Sequence, residues 1–328
     1  MKKFTHAWLA FMAIKRLEDT NLSRTNRKYA DSLIEWFKRH RDGVAQGAWY
    51  PDSAIKDMAN SHVLKFTPSA GAGNKFKRLP TTYLNYEYGK NSPVRKQSFT
   101  VDKHDNLPDR CESIAHSVID HLKMQEREDK GSPISPTDNQ IALLLFMLSH
   151  YIADAHMPFH CDSRRFSKGA DLHGYVEGEW DDVIRRYYRI DEDNERFFYD
   201  PYGYPLRDLS SDQEYQSSFL KTVDNVLQER TFVMSWGAKN KNVWDFMSAI
   251  CQHSYLLSYC FIPQEYDYTD VTLDNWQSLG SITFEDLSVA VFSDAIDSIA
   301  RAWFRIWRRY KKWERKQRAR KQVPDPGR

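Results

Sequence analysis

Ile141-Ala-Leu-Leu-Leu-Phe-Met-Leu-Ser-His150-Tyr-Ile-Ala-Asp154-Ala-His156-Met-Pro158-Phe-His160 is the stretch on which the reading of this chain turns. Ser135-Pro136-Thr137-Asp138 supplies a cap, a proline and an early acid ahead of it, so the pattern predicts a helix over 137–157. The run is apolar on almost every side and therefore reads as buried. His150 and Asp154 interrupt it four residues apart, which puts both side chains on one face, one turn from each other. Either residue alone reads as an ordinary helix residue. Together they set a polar, charge-bearing pair in an apolar helix, and buried charge without a partner is costly, so the pair needs a metal or a cation. Pro158 ends the helix and the chain turns to bring His160 back toward that face. His156 falls on another face and is left out. Thirteen residues after His160 comes His173, with Glu177 one helical turn on. Imidazole with carboxylate is the ligand set suited to zinc.

The rest of the chain is helical by the same test. Periodicity predicts helices near 7–18, 26–41, 107–127, 137–157, 172–189, 210–230, 237–261 and 284–320. Residues 63–106, 190–209 and 263–282 are too rich in Gly, Pro and Ser for regular structure and read as loops. Loops of that length in a compact domain are usually functional or disordered. No repeat or low-complexity tract is present. The expected fold class is all-α, a multi-helix domain over 1–300 with long loops around a metal cluster. Residues 301–328 are expected to be a basic, aromatic C-terminal helix and tail continuous with it.

Composition narrows the class. The chain has 328 residues, 41% hydrophobic and 28% charged, a globular balance with no apolar stretch of membrane-spanning length. Its four cysteines form no CxxC pair and read as free buried thiols in a reducing compartment. The start, MKKF and then THAWLAFMAI, carries a histidine and lacks a good cleavage context, so a cytoplasmic protein is expected, and a monomer is expected as well. The net charge of +2 hides an asymmetry: residues 301–328 hold twelve Lys/Arg against two Asp/Glu, leaving 35 bases and 43 acids in 1–300. The tail is thus a basic appendage on an acidic body. Ile299, Trp303, Ile306, Trp307, Tyr310 and Trp313 line one side of it. That pattern suits docking on the domain, an anionic membrane surface or nucleic acid.

HxxxDxxxPxH followed by HxxxE resembles the superfamily of zinc-dependent phospholipases C and single-strand-specific zinc nucleases, whose all-helical fold holds three zinc ions. The spacing from His150 to Asp154 to His160 matches in full, Pro158 included. His173-Gly-Tyr-Val-Glu177 is similar to the phospholipase version, which ends in glutamate. Trp49-Tyr-Pro-Asp52, with His62 ten residues on, is similar to the upstream Asp/His element at a closer spacing, and His6 fits the N-terminal histidine. The resemblance covers scattered points from residue 6 to residue 177, and downstream it extends only to helical character. It implies that Asp52, His62, His150 and Asp154 hold one zinc, and His160, His173 and Glu177 a second. His6, the amine and carbonyl of Met1 and a shared Asp154 would hold a third. Asp57 competes with Asp52 and Glu179 with Glu177 for these places. Closely spaced divalent ions activate water, as hydroxide, for in-line attack on phosphorus and clamp the phosphate oxygens. Asp52 is the candidate catalytic base that takes the proton of the attacking water.

Other metal enzymes fit less well. No glutamate is followed three residues later by histidine, which removes the di-iron bundle pattern, and HExxH is absent. The substrate is expected to be a phosphodiester, either a phospholipid or single-stranded nucleic acid. The HxxxE ending leans to the lipid. The loop 63–106 leans to the nucleic acid, because Lys65, Lys77 and Arg78 interleave with Phe66, Phe76 and Tyr83 as cations and rings do in a single-strand groove. A solvated basic loop is the plain alternative, and a non-catalytic metal-binding relative is a third class.

Overall fold

The computed structural model describes residues 1–56, 62–69, 98–101, 106–127, 134–164, 172–236, 241–263, 271 and 275–321. Among them are eleven α-helices and two small antiparallel hairpins, so the fold is all-α. In chain order the helices begin with α1 (Lys3–Asp19), α2 (Arg24–Arg39), α3 (Val44–Tyr50), α4 (Leu107–Arg127), α5 (Asp138–His156) and α6 (Pro158–Cys161). They continue with α7 (Leu172–Tyr187), α8 (Asp212–Gln216), α9 (Phe219–Glu229), α10 (Val243–Phe261) and α11 (Phe284–Lys321). No described helix is long and apolar enough to cross a membrane.

Thr137 starts the central helix. Its Oγ1 accepts from the Gln140 N–H at 3.2 Å, and Gln140 Oε1 accepts from the Thr137 N–H at 2.8 Å. This reciprocal cap satisfies two donors that a helix start leaves unpaired. From Leu145 to His156 every residue of α5 is buried, because α1, α3, α4, α10 and α11 surround it. The helix stops at Met157, whose extended backbone precedes Pro158, and Pro158 opens the single turn α6.

Helix α11 has 38 residues, about 57 Å of rise. Thr283 and Asp286 cap its start reciprocally, at 3.0 and 3.1 Å. It crosses residue 300 without a break. Trp303, fully buried, packs against Phe37 with ring centroids 4.4 Å apart and donates its indole N–H to the Leu145 carbonyl at 2.9 Å. Arg16 of α1 and Arg230 after α9 reach Asp297 and Asp294 of α11 at 2.7 Å each, so three elements meet at one buried charge network. Such a network specifies register more than it adds net stability. The four cysteines are free and buried.

Residues 44–55, not expected to be helical, form α3 and a π-turn over Pro51–Ile55. The predicted helix 210–230 is broken into a 3-10 turn at Leu209–Ser211, α8 and α9, because Ser218 caps a new start by accepting from Lys221 N–H. The predicted helix 237–261 begins at Val243, where Asn242 accepts from the Asp245 N–H at 2.8 Å, and 237–240 lie outside the described residues. Helices α1 and α2 start earlier than expected, at Lys3 and Arg24. The expected loop 63–106 contains the hairpin β1 (Phe66–Ser69) with β2 (Ser98–Val101), Phe66 opposite Val101. The loop 190–209 contains β3 (Ile190–Asp191) with β4 (Arg196–Phe197).

Candidate metal centre

Five histidines and three carboxylates converge where α1 begins, α5 ends and α7 begins. The turn at Met157 makes this possible: Met157 N–H donates to the Asp154 carbonyl at 3.0 Å and His160 N–H to the Met157 carbonyl at 3.0 Å. The chain therefore doubles back, and His160 Nδ1 lies 3.9 Å from Asp154 Oδ2.

Around the end of α5, His150 Nε2 lies 3.2 Å from Asp154 Oδ2, 2.9 Å from His62 Nε2 and 3.5 Å from Asp52 Oδ1. His62 Nε2 is also 3.1 Å from Asp52 Oδ1. The π-turn delivers Asp52: Pro51 opens it and Lys56, in the left-handed region at φ 53°, closes it. Single π-turns recur at functional sites. The ring of His6 stacks on His150 with centroids 4.0 Å apart, and its Nε2 is 3.4 Å from Asp154 Oδ1. Beside this group, His160 Nε2 lies 2.9 Å from His173 Nε2 and 3.6 Å from Glu177 Oε1, and His173 Nε2 lies 2.8 Å from Glu177 Oε1. The Met1 amine sits between the two groups, 3.1 Å from Asp154 Oδ1 and 2.6 Å from Glu177 Oε1.

Three sets of ligand-type atoms could each hold an ion, His6–Asp52–His150, His62–His150–Asp154 and His160–His173–Glu177, the first two sharing His150. Within each set the atoms lie within 4.8 Å of one another. Most of the cluster is buried, and only Asp52 and His173 are partly open to solvent.

Electrostatics follow from burial set against mutual charge. Burial pushes the Asp52 carboxyl up, but hydrogen bonds from His150 and His62 outweigh it and hold the group well below the carboxylate range. Burial likewise opposes ionisation of Asp154, and the Met1 amine and His150 overcome it. Glu177 is lowered in the same way by the Met1 amine and by hydrogen bonds with His160 and His173. Burial lowers His150, yet Asp154 and Asp52 raise it to about 9. Burial dominates at His160, which falls to about 4, and at His6, which falls well below its usual value. The Met1 amine, lowered by burial and raised more by Asp154 and Glu177, stands at about 10.

The residues fit a resident metal. Both ring nitrogens of buried His6 lack a hydrogen-bond partner among the described residues, as do His62 Nδ1 and His160 Nδ1. Buried polar atoms left so cost about 1–3 kcal/mol each. Two imidazole nitrogens at 2.9 Å cannot both present lone pairs without a cation or a proton between them. His150 Nδ1 donates to the Ala48 carbonyl at 2.8 Å, which leaves Nε2 turned to the cluster, as an outer-shell partner of a metal ligand does.

Three supports lay outside the sequence reading. Ala48 carries no side-chain signal at all. Asp181 accepts from Thr5 N–H at 3.0 Å and from Arg185 at 2.9 Å, tying the first turn of α1 to α7. Its signal was available, since Glu177, Asp181 and Arg185 repeat every four residues on one face. Asp162, fully buried, takes Arg164 at 2.9 Å and Ser258 at 2.6 Å and anchors the segment that follows His160. His156 lies apart from the cluster, its Nε2 2.9 Å from Ser298 Oγ. Lys65 donates to the Phe159 carbonyl, and Phe66 is buried against Tyr255 with centroids 5.2 Å apart. Lys77, Arg78 and Asp57 lie outside the described residues.

No family model matches the chain, and no curated protein matches it. Among solved structures it is similar to the alpha-toxin of Clostridium perfringens isolated from avian strain SWCP, at 15% identity and a TM-score of 0.44. The match covers 92% of this chain and 62% of that one, so the chain spans less than two thirds of that structure's length.

Proposed function

We propose that this protein is a zinc-dependent phosphodiester hydrolase of the phospholipase C type. The observation that supports it is the convergence of three ligand sets in one cluster, open to solvent only at Asp52 and His173. His62, His150, Asp154 and Asp52 would hold one ion, and His160, His173 and Glu177 a second. His6, with Asp154 and the Met1 amine, would hold a third. Zinc ions held there would supply an activated water at neutral pH and would neutralise charge building on the phosphate oxygens.

The chain's own residues do the remainder. Asp52, ionised at neutral pH and partly exposed, accepts a hydrogen bond from the incoming water and orients it toward phosphorus. His150, fixed through the Ala48 carbonyl, and His160, fixed by the turn at Met157, keep the ligand set rigid before substrate arrives. That preorganisation is where electrostatic catalysis gains most. The His173–Glu177 pair supports a phospholipid head-group ester as substrate over a nucleic-acid backbone.

The test is hydrolysis of phosphatidylcholine, single-stranded DNA and RNA in parallel by chelator-treated and zinc-restored protein. The expected result is release of phosphocholine, lost with the metal and recovered with zinc. No hydrolysis of any of the three by the zinc-restored protein contradicts the proposal, and cleavage of nucleic acid alone moves it to the nuclease branch.

A further inference from the structure

Arg305, Arg308, Lys312 and Lys316, three or four residues apart along α11, with Arg309 beside Arg308, form one stripe about 16 Å long. The stripe is one wall of a cavity of ≈ 540 Å³. The other walls are α4, which contributes Glu112, and the start of α10, with Lys241 just ahead of it. Among the described lining residues, six basic side chains thus face one carboxylate. None of the six is in an ion pair among the described residues, whereas Lys311 and Arg318 on the adjoining face share Glu314 at 3.1 and 2.7 Å. Arg16, Arg185 and Arg230 likewise each have a carboxylate within 2.9 Å. Repulsion between like charges one turn apart disfavours this helix unless an anion joins them.

The lining also shows how such an anion is recognised. Trp236 is buried, stacked on Phe246 at 5.6 Å and covered by the Arg305 guanidinium at 4.3 Å. Trp313 packs on Tyr310 at 6.3 Å and under Arg127 at 5.5 Å. These rings are already engaged, so recognition falls to charge and hydrogen bonding rather than to stacking. The Arg305 guanidinium, held by the Met234 carbonyl at 3.3 Å, is fixed at the wall. The groove is remote from the metal centre. Ser298 of α11 is level with His156, Trp303 is already level with Leu145, and Lys312 lies about 21 Å beyond Ser298 along the helix.

We propose that this groove binds an anion bearing several phosphate groups, at a site separate from the metal centre. A soluble polyphosphate and the head groups of an anionic phospholipid present the same chemistry, and the experiment separates them. Full-length wild type, Arg308→Glu/Lys312→Glu and His173→Ala are titrated with inorganic tripolyphosphate by calorimetry. The same three are sedimented with phosphatidylglycerol or phosphatidylcholine vesicles. Wild type and His173→Ala should bind alike, with affinity falling as salt is raised, and the charge reversal should weaken binding by roughly tenfold or more. Its thermal midpoint and its hydrolysis of a small soluble phosphodiester should be unchanged. If the reversal impairs folding, Lys312→Gln/Lys316→Gln should show the same direction of loss. Binding of tripolyphosphate assigns the soluble source, and retention on phosphatidylglycerol alone assigns the head group. Equal binding by wild type and the charge reversal, binding lost only in His173→Ala, or no binding of wild type to either probe overturns the proposal.

Discussion

His62 Nε2 and His150 Nε2 face each other at 2.9 Å inside the helix bundle, although 88 residues separate them in sequence. On one tetrahedral zinc, two imidazole nitrogens stand roughly 3.3 Å apart, so small outward movements of the two rings would admit an ion. His150 is fully buried and its other nitrogen is committed to Ala48. His150→Ala should therefore lose zinc and lower hydrolysis by at least about 100-fold, since even outer-shell partners are worth 10–100-fold. Asp154→Asn should behave alike, because Asp154 approaches His6, His62, His150 and His160. Zinc content and initial rate measured on the same preparations check this, and full activity in either variant contradicts it.

Gly47 controls how closely α3 approaches α5. A Cβ there would lie 2.8 Å from Phe146 Cβ and 2.9 Å from its Cδ2, closer than side chains pack. Phe146 is itself held against Phe37 and Trp303. Gly47→Ala should cost about 1–3 kcal/mol by overpacking. Because α3 carries both the Ala48 carbonyl and the π-turn with Asp52, it should also lower zinc affinity. Denaturant midpoints and zinc titration read the two effects, and a variant as stable as wild type would show that α3 yields freely.

Much of this was legible from spacing. The separations of His150 from Asp154 and of His173 from Glu177 place each pair on one face of a helix, and Pro158 marks the turn that returns His160. The missing parts share physical causes. Val44–Ile55 contains Gly47 and Pro51, which argue against a helix, and tertiary packing of Gly47 on Phe146 overrides that local preference. The break before α9 rests on Ser218, a cap that resembles any surface serine until a chain end needs it. The hairpin from Phe66 pairs strands some 30 residues apart, which no local period reveals.

His156 gives a pH dependence whose sign is set by its burial. Burial, with Arg301 nearby, lowers it to about 3 from an ordinary value of 6.5. The unfolded chain therefore takes up a proton between these values that the folded chain refuses, so the stability the neutral ring contributes is present above 6.5 and is lost as pH falls toward 3. The shift corresponds to a few kcal/mol, on the order of 1.4 kcal/mol per unit. In paired denaturation experiments, the advantage of wild type over His156→Gln at pH 7 should shrink steadily on acidification. A gap independent of pH contradicts this.

The Met1 amine, 2.6 Å from Glu177 and 3.1 Å from Asp154, is proposed as a ligand together with His6. Metal binding displaces its proton, as at other nitrogen ligands. Residues added ahead of Met1 convert that amine to an amide, which no longer chelates. Such an extension should cost one zinc and most activity, while the same residues added after Arg328 should cost neither. Equal zinc content in the two forms would remove Met1 and leave the other ligands in place.

Zinc content per chain, measured by elemental analysis on wild type purified without chelator, separates a metal centre from a metal-free helix bundle. The assignment of His62, His150, Asp154 and Asp52 to one ion, His160, His173 and Glu177 to a second, and His6 with Asp154 and the Met1 amine to a third predicts close to three zinc ions, and His150→Ala should hold fewer. Protein that is folded and free of zinc, and that takes up none on titration, would contradict the account.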